Sequence, residues 1–80
     1  MPRRMTSEDV DRFREQESFS WNEFAGFEGE DIGSGLYIFK YDLVDGGYLL
    51  VSGSSMEMEP QRIIFYHSDG QREEIKFSPF

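Results

Sequence analysis

Apolar and polar residues pattern the chain most clearly over residues 35–51, where GLYIFKYDLVDGGYLLV carries two β-type runs around one turn. Tyr37, Ile38, Phe39 and Tyr41 in the first run, and Tyr48, Leu49, Leu50 and Val51 in the second, suit a pleated, half-buried surface. Asp45-Gly46 between them supplies the positive φ angles of a type I′ hairpin turn. With that pair as the loop, Leu43 faces Tyr48, Tyr41 faces Leu50 and Phe39 faces Ser52. One side then carries Tyr37, Phe39, Tyr41, Leu43, Tyr48 and Leu50, and the other Leu36, Ile38, Lys40, Asp42, Leu49 and Val51. Neither side is uniformly apolar, and a slip of one residue in the pairing exchanges the faces of the second strand.

A second hairpin follows. Pro60 closes a polar linker and favours an extended entry. Residues 61–67 centre on Ile63, Ile64, Phe65 and Tyr66, and Asp69-Gly70 turns the chain into residues 72–77. This turn pairs Ile64 with Ile75 and Arg62 with Phe77. Two hairpins in tandem make a four-stranded antiparallel meander.

The amino-terminal third reads differently. Residues 1–5 are short, basic and Pro-containing, and are expected to be a disordered lead to a single domain over residues 6–80. Thr6 or Ser7 is a helix N-cap, with Glu8 and Asp9 complementing the dipole in the first turn. Val10 and Phe13 give a narrow apolar stripe on a short helix that must dock on something to be stable. Ser20-Trp21-Asn22-Glu23 fits a capping box opening a second helical turn, with Phe24 and Phe27 on one side. Residues 28–35, with three carboxylates and three glycines, are a loop. The predicted fold is α+β: the meander with one or two short helices packed on one face. The uncovered face is expected to hold Ile63, Phe65, Ile38 and Val51, an apolar patch that calls either for a sheet curled around its own core or for a second copy of the chain.

Composition narrows the function. Eighty residues without cysteine form one small domain with no disulfide, and eight Phe, four Tyr and one Trp supply the mass of its core. Sixteen acids against eight bases give a formal charge of −8, which argues against direct binding to nucleic acid or an anionic membrane. No run of apolar residues is long enough to span a bilayer, and no apolar segment follows the basic amino end, so the expected setting is the cytoplasm.

Candidate chemistry is sparse. His67 is the single histidine and stands beside a turn, where an exposed or structural role outweighs a catalytic one. Glu28, Glu30 and Asp31 offer oxygen ligands, but not at the spacing of an EF-hand loop. Gly33-Ser34-Gly35 precedes a strand and lacks a lysine, so it is no phosphate cradle. Met56 and Met58 sit in the polar linker as adaptable contact residues or core-edge plugs. Neither enzyme activity nor a cofactor is expected.

Charge distribution is the strongest functional signal. Residues 8–31 hold nine acids, Glu8, Asp9, Asp11, Glu15, Glu17, Glu23, Glu28, Glu30 and Asp31, against only Arg12 and Arg14. Displayed on one surface, they would attract a basic protein partner and could occupy a groove meant for phosphates; the bland reading is an acidic surface that keeps the protein soluble. In size and charge, though in no motif, the chain resembles small acidic inhibitors of phage and plasmid origin, such as anti-CRISPR and anti-restriction proteins. The expected function is therefore a non-enzymatic interaction module that binds a basic protein surface, with an inhibitor that mimics nucleic acid as one form it could take. Its rivals are a homodimeric accessory subunit using the apolar sheet face, and a small-ligand domain with tyrosines and Trp21 lining a pocket.

Overall fold

The computed structural model describes residues 3–33, 37–55 and 57–77. Five strands pair in chain order into one antiparallel sheet: β1 (Glu30–Asp31), β2 (Tyr37–Asp42), β3 (Tyr48–Gly53), β4 (Arg62–Tyr66) and β5 (Arg72–Phe77). The α+β class and both hairpins are as expected, with one strand more. The extra strand is β1, where Glu30 pairs with Lys40 and Asp31 with Phe39 inside the stretch read as a loop.

Both Asp-Gly turns are one residue longer than expected. Leu43 N–H donates to Gly47 O at 3.1 Å and His67 N–H to Gln71 O at 2.7 Å, leaving the three-residue loops Val44-Asp45-Gly46 and Ser68-Asp69-Gly70. A type I′ turn requires positive φ at both loop residues. Here only glycines take it among the described residues, Gly46 at 107°, Gly47 at 81° and Gly70 at 95°, so neither aspartate enters the left-handed region.

The longer loop slips the first hairpin by one residue. Phe39 now faces Val51 and Tyr41 faces Leu49, and these continue to Ile63 and Phe65 on β4. One face of the sheet thereby becomes apolar across β2, β3 and β4, flanked by Asp31 on β1 and Glu73 and Lys76 on β5. In the second hairpin a bulge between Ile63 and Ile64 absorbs the shift: Ile64 faces Glu74 rather than Ile75, yet Arg62 still meets Phe77.

Helix α1 (Ser7–Arg14) is capped by Thr6 and buries Val10 and Phe13. The second helical segment is a single 3-10 turn, Trp21–Glu23, rather than an α-helix; the Glu23 carboxylate accepts the Ser20 N–H at 2.7 Å, as the capping box requires. Phe13 is the hub of this layer, with ring centroids 5.1 Å from Phe24, 6.2 Å from Phe19 and 6.3 Å from Phe27, and Phe24 meets the sheet at Tyr41, 5.8 Å away. Trp21 packs edge-on against Phe39 at 5.6 Å, and its indole N–H donates to Ser55 O at 3.1 Å.

The amino-terminal lead is not disordered over its described part. Arg3 N–H donates to Gly26 O at 3.0 Å and Arg3 O accepts from Glu28 at 2.8 Å, while Met5 O accepts from Val44 at 2.9 Å. These bonds seat the Met5 side chain wholly inside the core. Met1 and Pro2 lie outside the described residues, as do Ser34, Gly35, Leu36 and Met56.

The two faces of the sheet are now fixed. Tyr41, Leu43, Leu49, Val51, Ile63 and Phe65 are buried beneath the helical layer. Three of the four residues assigned to an exposed dimer face, Ile63, Phe65 and Val51, are therefore core residues, because the register slip turned β3 over. Ile38 alone lies on the open side, in a row with Ser52 and Arg62. No helix among the described residues is long and apolar enough to cross a membrane.

Candidate functional site

Of the nine acids in residues 8–31, two are turned to structural work, Asp9 and Glu23. Asp9 is 2 % exposed. Its carboxylate accepts from Arg3 at 2.8 and 3.2 Å and from the Thr6 N–H and hydroxyl at 2.9 and 3.0 Å, and Arg12 stands 3.0 Å away. Burial alone would raise its pKa. The hydrogen bonds from Arg3 and Thr6, with the Arg3 charge, outweigh that and hold it down at about 2. Asp9 thus locks the amino-terminal segment to the start of α1, and the expectation that it belongs to the outer acidic surface is corrected.

Glu23 is half-buried and turned inward, capping the 3-10 turn and bonding the Gln16 amide. The other seven, Glu8, Asp11, Glu15, Glu17, Glu28, Glu30 and Asp31, are exposed. They fall into two groups: the first four on α1 and the residues after it, the last three on β1 and its approach.

The nearby arginines are engaged elsewhere. Arg3 and Arg12 converge on Asp9, and Arg14 forks onto Glu73 at 2.6 and 2.9 Å while also pairing with Asp11. The Glu73 carboxyl is held below its usual range, first by the Arg14 hydrogen bond. Among the described residues Glu8, Glu15 and Glu17 make no ion pair, so their charge faces solvent uncompensated.

The remaining candidates are quickly placed. His67 Nε2 lies 3.1 Å from Glu73 Oε1, with its ring tilted onto Phe65 at 4.4 Å, an arrangement that ties β4 to β5. No group of three or more metal-ligating side chains occurs among the described residues. A cleft of about 330 Å³ is lined by Arg4, Glu28, Gly29, Glu30, Lys40 and Asp42, mixing both signs of charge. One of about 220 Å³ is lined by Ser20, Trp21, Asn22, Glu57, Met58 and Glu59. Neither is lined by a tyrosine: Tyr41 is in the core, and Tyr48 and Tyr66 stack on each other at 4.7 Å on the open side of the sheet.

That open side carries what sequence reasoning missed. Lys40, Asp42, Tyr48, Leu50, Ile64 and Tyr66 share it, none of them in the buried cluster. The cause was the third loop residue of the first turn, which flips β3 relative to β2. Asp9 had a signal, since Thr6 and Asp9 have the spacing of a capping box. Compared with known proteins, the chain matches no family model, no curated protein and no solved structure.

Proposed function

We propose that the protein is a non-enzymatic interaction module whose acidic helical layer binds a basic protein surface. The observation that carries this reading is the disposal of the local cations: Arg3, Arg12 and Arg14 are tied to Asp9, Asp11 and Glu73, which leaves Glu8, Glu15 and Glu17 unopposed at the surface. An acidic surface needed only for solubility has no requirement for such concentration. The overall charge of −8 favours the same class of partner and disfavours nucleic acid itself.

Immobilised protein and a low-salt extract test it. Wild type is expected to retain one or a few basic proteins that elute at moderate salt, as screened surface charges should. The triple variant E8Q/E15Q/E17Q is expected to lose them. Identical sets captured by both proteins would refute the role of this layer. Competition of the captured partner by DNA would mark the nucleic-acid-mimic form of the function.

A further inference from the structure

The face of the sheet away from the helical layer is covered by no element of the described chain, and it is ordered into cross-strand rows. Asp42, Tyr48, Tyr66 and Arg72 make one row, and Glu30, Lys40, Leu50, Ile64 and Glu74 the next. Between β2 and β5 each row is aromatic or aliphatic in the middle with opposite charges on those two strands, and on β1 Glu30 stands beside Lys40 at the outer end of the second row. The order of signs reverses between the two rows: acid on β2 and base on β5 in the first, base on β2 and acid on β5 in the second. Within the chain the Lys40–Asp42 pair is loose, since Lys40 Nζ is 3.7 Å from Asp42 and rests over the Tyr48 ring at 4.7 Å.

We propose that this face is the interface of a two-fold homodimer, with the axis lying in the interface parallel to the strands between β3 and β4. Such an axis lays β2 of one copy over β5 of the other and keeps every row in line. Asp42 then faces Arg72 of the second copy and Lys40 faces its Glu74, each twice. Tyr48 lies over Tyr66 and Leu50 over Ile64. The face is thus complementary to itself, as an isologous contact must be.

The other aligned packing, with the axis across the strands, is poorer. Centred on the second row, it sets Lys40 against Lys40 and Glu74 against Glu74. Moved by half a row spacing to avoid this, it leaves the row of Ile38, Ser52 and Arg62 without a facing row. Joining sheets edge to edge is also disfavoured, because β5 reads REEIKF and such charged edges resist pairing. Four strands at about 4.8 Å and six residues at about 3.3 Å give a face of roughly 300–400 Å² in projection. Counted over both copies that lies below the usual range of specific interfaces, so the dimer is weak, in exchange with monomer, and rests on charge pairing more than on area.

Charge reversal tests the pairing directly. Asp42 and Arg72 are exposed, so the variants are expected to fold, and three strand spacings, about 14 Å, keep the two side chains apart within one chain. Sedimentation velocity from low to high micromolar protein is expected to show wild type rising from 9.4 kDa toward twice that mass. D42R and R72E should each stay monomeric, with thermal melts confirming the fold, and D42R/R72E should dimerise again. Wild type that remains at 9.4 kDa throughout, single variants that dimerise normally, or a double variant that fails to recover would each overturn the proposal. The readout is mass alone and does not depend on the acidic layer binding a partner.

Discussion

Asp9 and Tyr41 tie the stability of the fold to pH from opposite sides. For Asp9 the folded pKa of about 2 lies below the unfolded value of 3.8. Its contribution is therefore complete above about pH 5 and is lost as pH falls through about 2. The difference corresponds to roughly 2 kcal/mol. Asp9→Asn is expected to lower the melting temperature at neutral pH by about 8–16 °C and to flatten the acid limb of the stability curve. Thermal denaturation from neutral pH downward checks this, and an unchanged acid limb would mean that the carboxylate is not held as described.

Tyr41 works in the opposite direction. Burial pushes its phenol up to about 12, above the ordinary value of 10.0, so stability is present below about pH 10 and is lost as pH rises through about 12. Tyr41→Phe cannot ionise. The variant should keep about 2–3 kcal/mol that wild type loses at the alkaline end, read from denaturant melts on both sides of pH 10.

At the scale of elements, neighbouring leucines on β3 separate the faces of the sheet. Leu49 is fully buried opposite Tyr41 and Phe65, whereas Leu50 lies on the open side opposite Lys40 and Ile64. Leu49→Ala is expected to cost about 2–5 kcal/mol. Leu50→Ala, measured on monomer at low concentration, should cost about 1 kcal/mol or less. Equal costs would place β3 in the other register. Gly47 guards the same register: a Cβ there would lie 2.4 Å from Tyr66 O, at a φ of +81° that disfavours side chains. Gly47→Ala should therefore be destabilising by about 1–3 kcal/mol in the same melts.

Elements with a strong local signal were legible in the sequence. The aromatic and β-branched runs gave both hairpins, and the residues after Thr6 and Ser20 gave the helix start and the capped turn. What sequence could not fix was loop length, because Asp-Gly suits both a two-residue turn and a three-residue loop that ends in a left-handed glycine. That single residue moved Leu49 and Val51 into the core with Ile63 and Phe65, and moved Tyr48 and Leu50 out. The amino-terminal segment escaped for another reason. Arg3 and Met5 are held by isolated backbone bridges to Phe27 and Leu43, long-range contacts with no local periodicity to announce them.

Over the whole molecule the sheet divides two kinds of surface. One side is sealed by α1 and the aromatic residues that follow it, and shows solvent the carboxylates of Glu8, Asp11, Glu15 and Glu17. The other is open, mixed in charge and complementary to itself. Pairing through the open side would leave both acidic layers outermost, so a dimer would present two copies of the binding surface. Backbone amide shifts of isotope-labelled protein, recorded with and without a basic partner captured at low salt, test this division most directly. Changes are expected to gather on α1 and the residues through Glu17, with Leu50, Ile64 and Tyr66 unmoved by the partner itself. Changes centred on Leu50 and Ile64, with α1 unmoved, would contradict it.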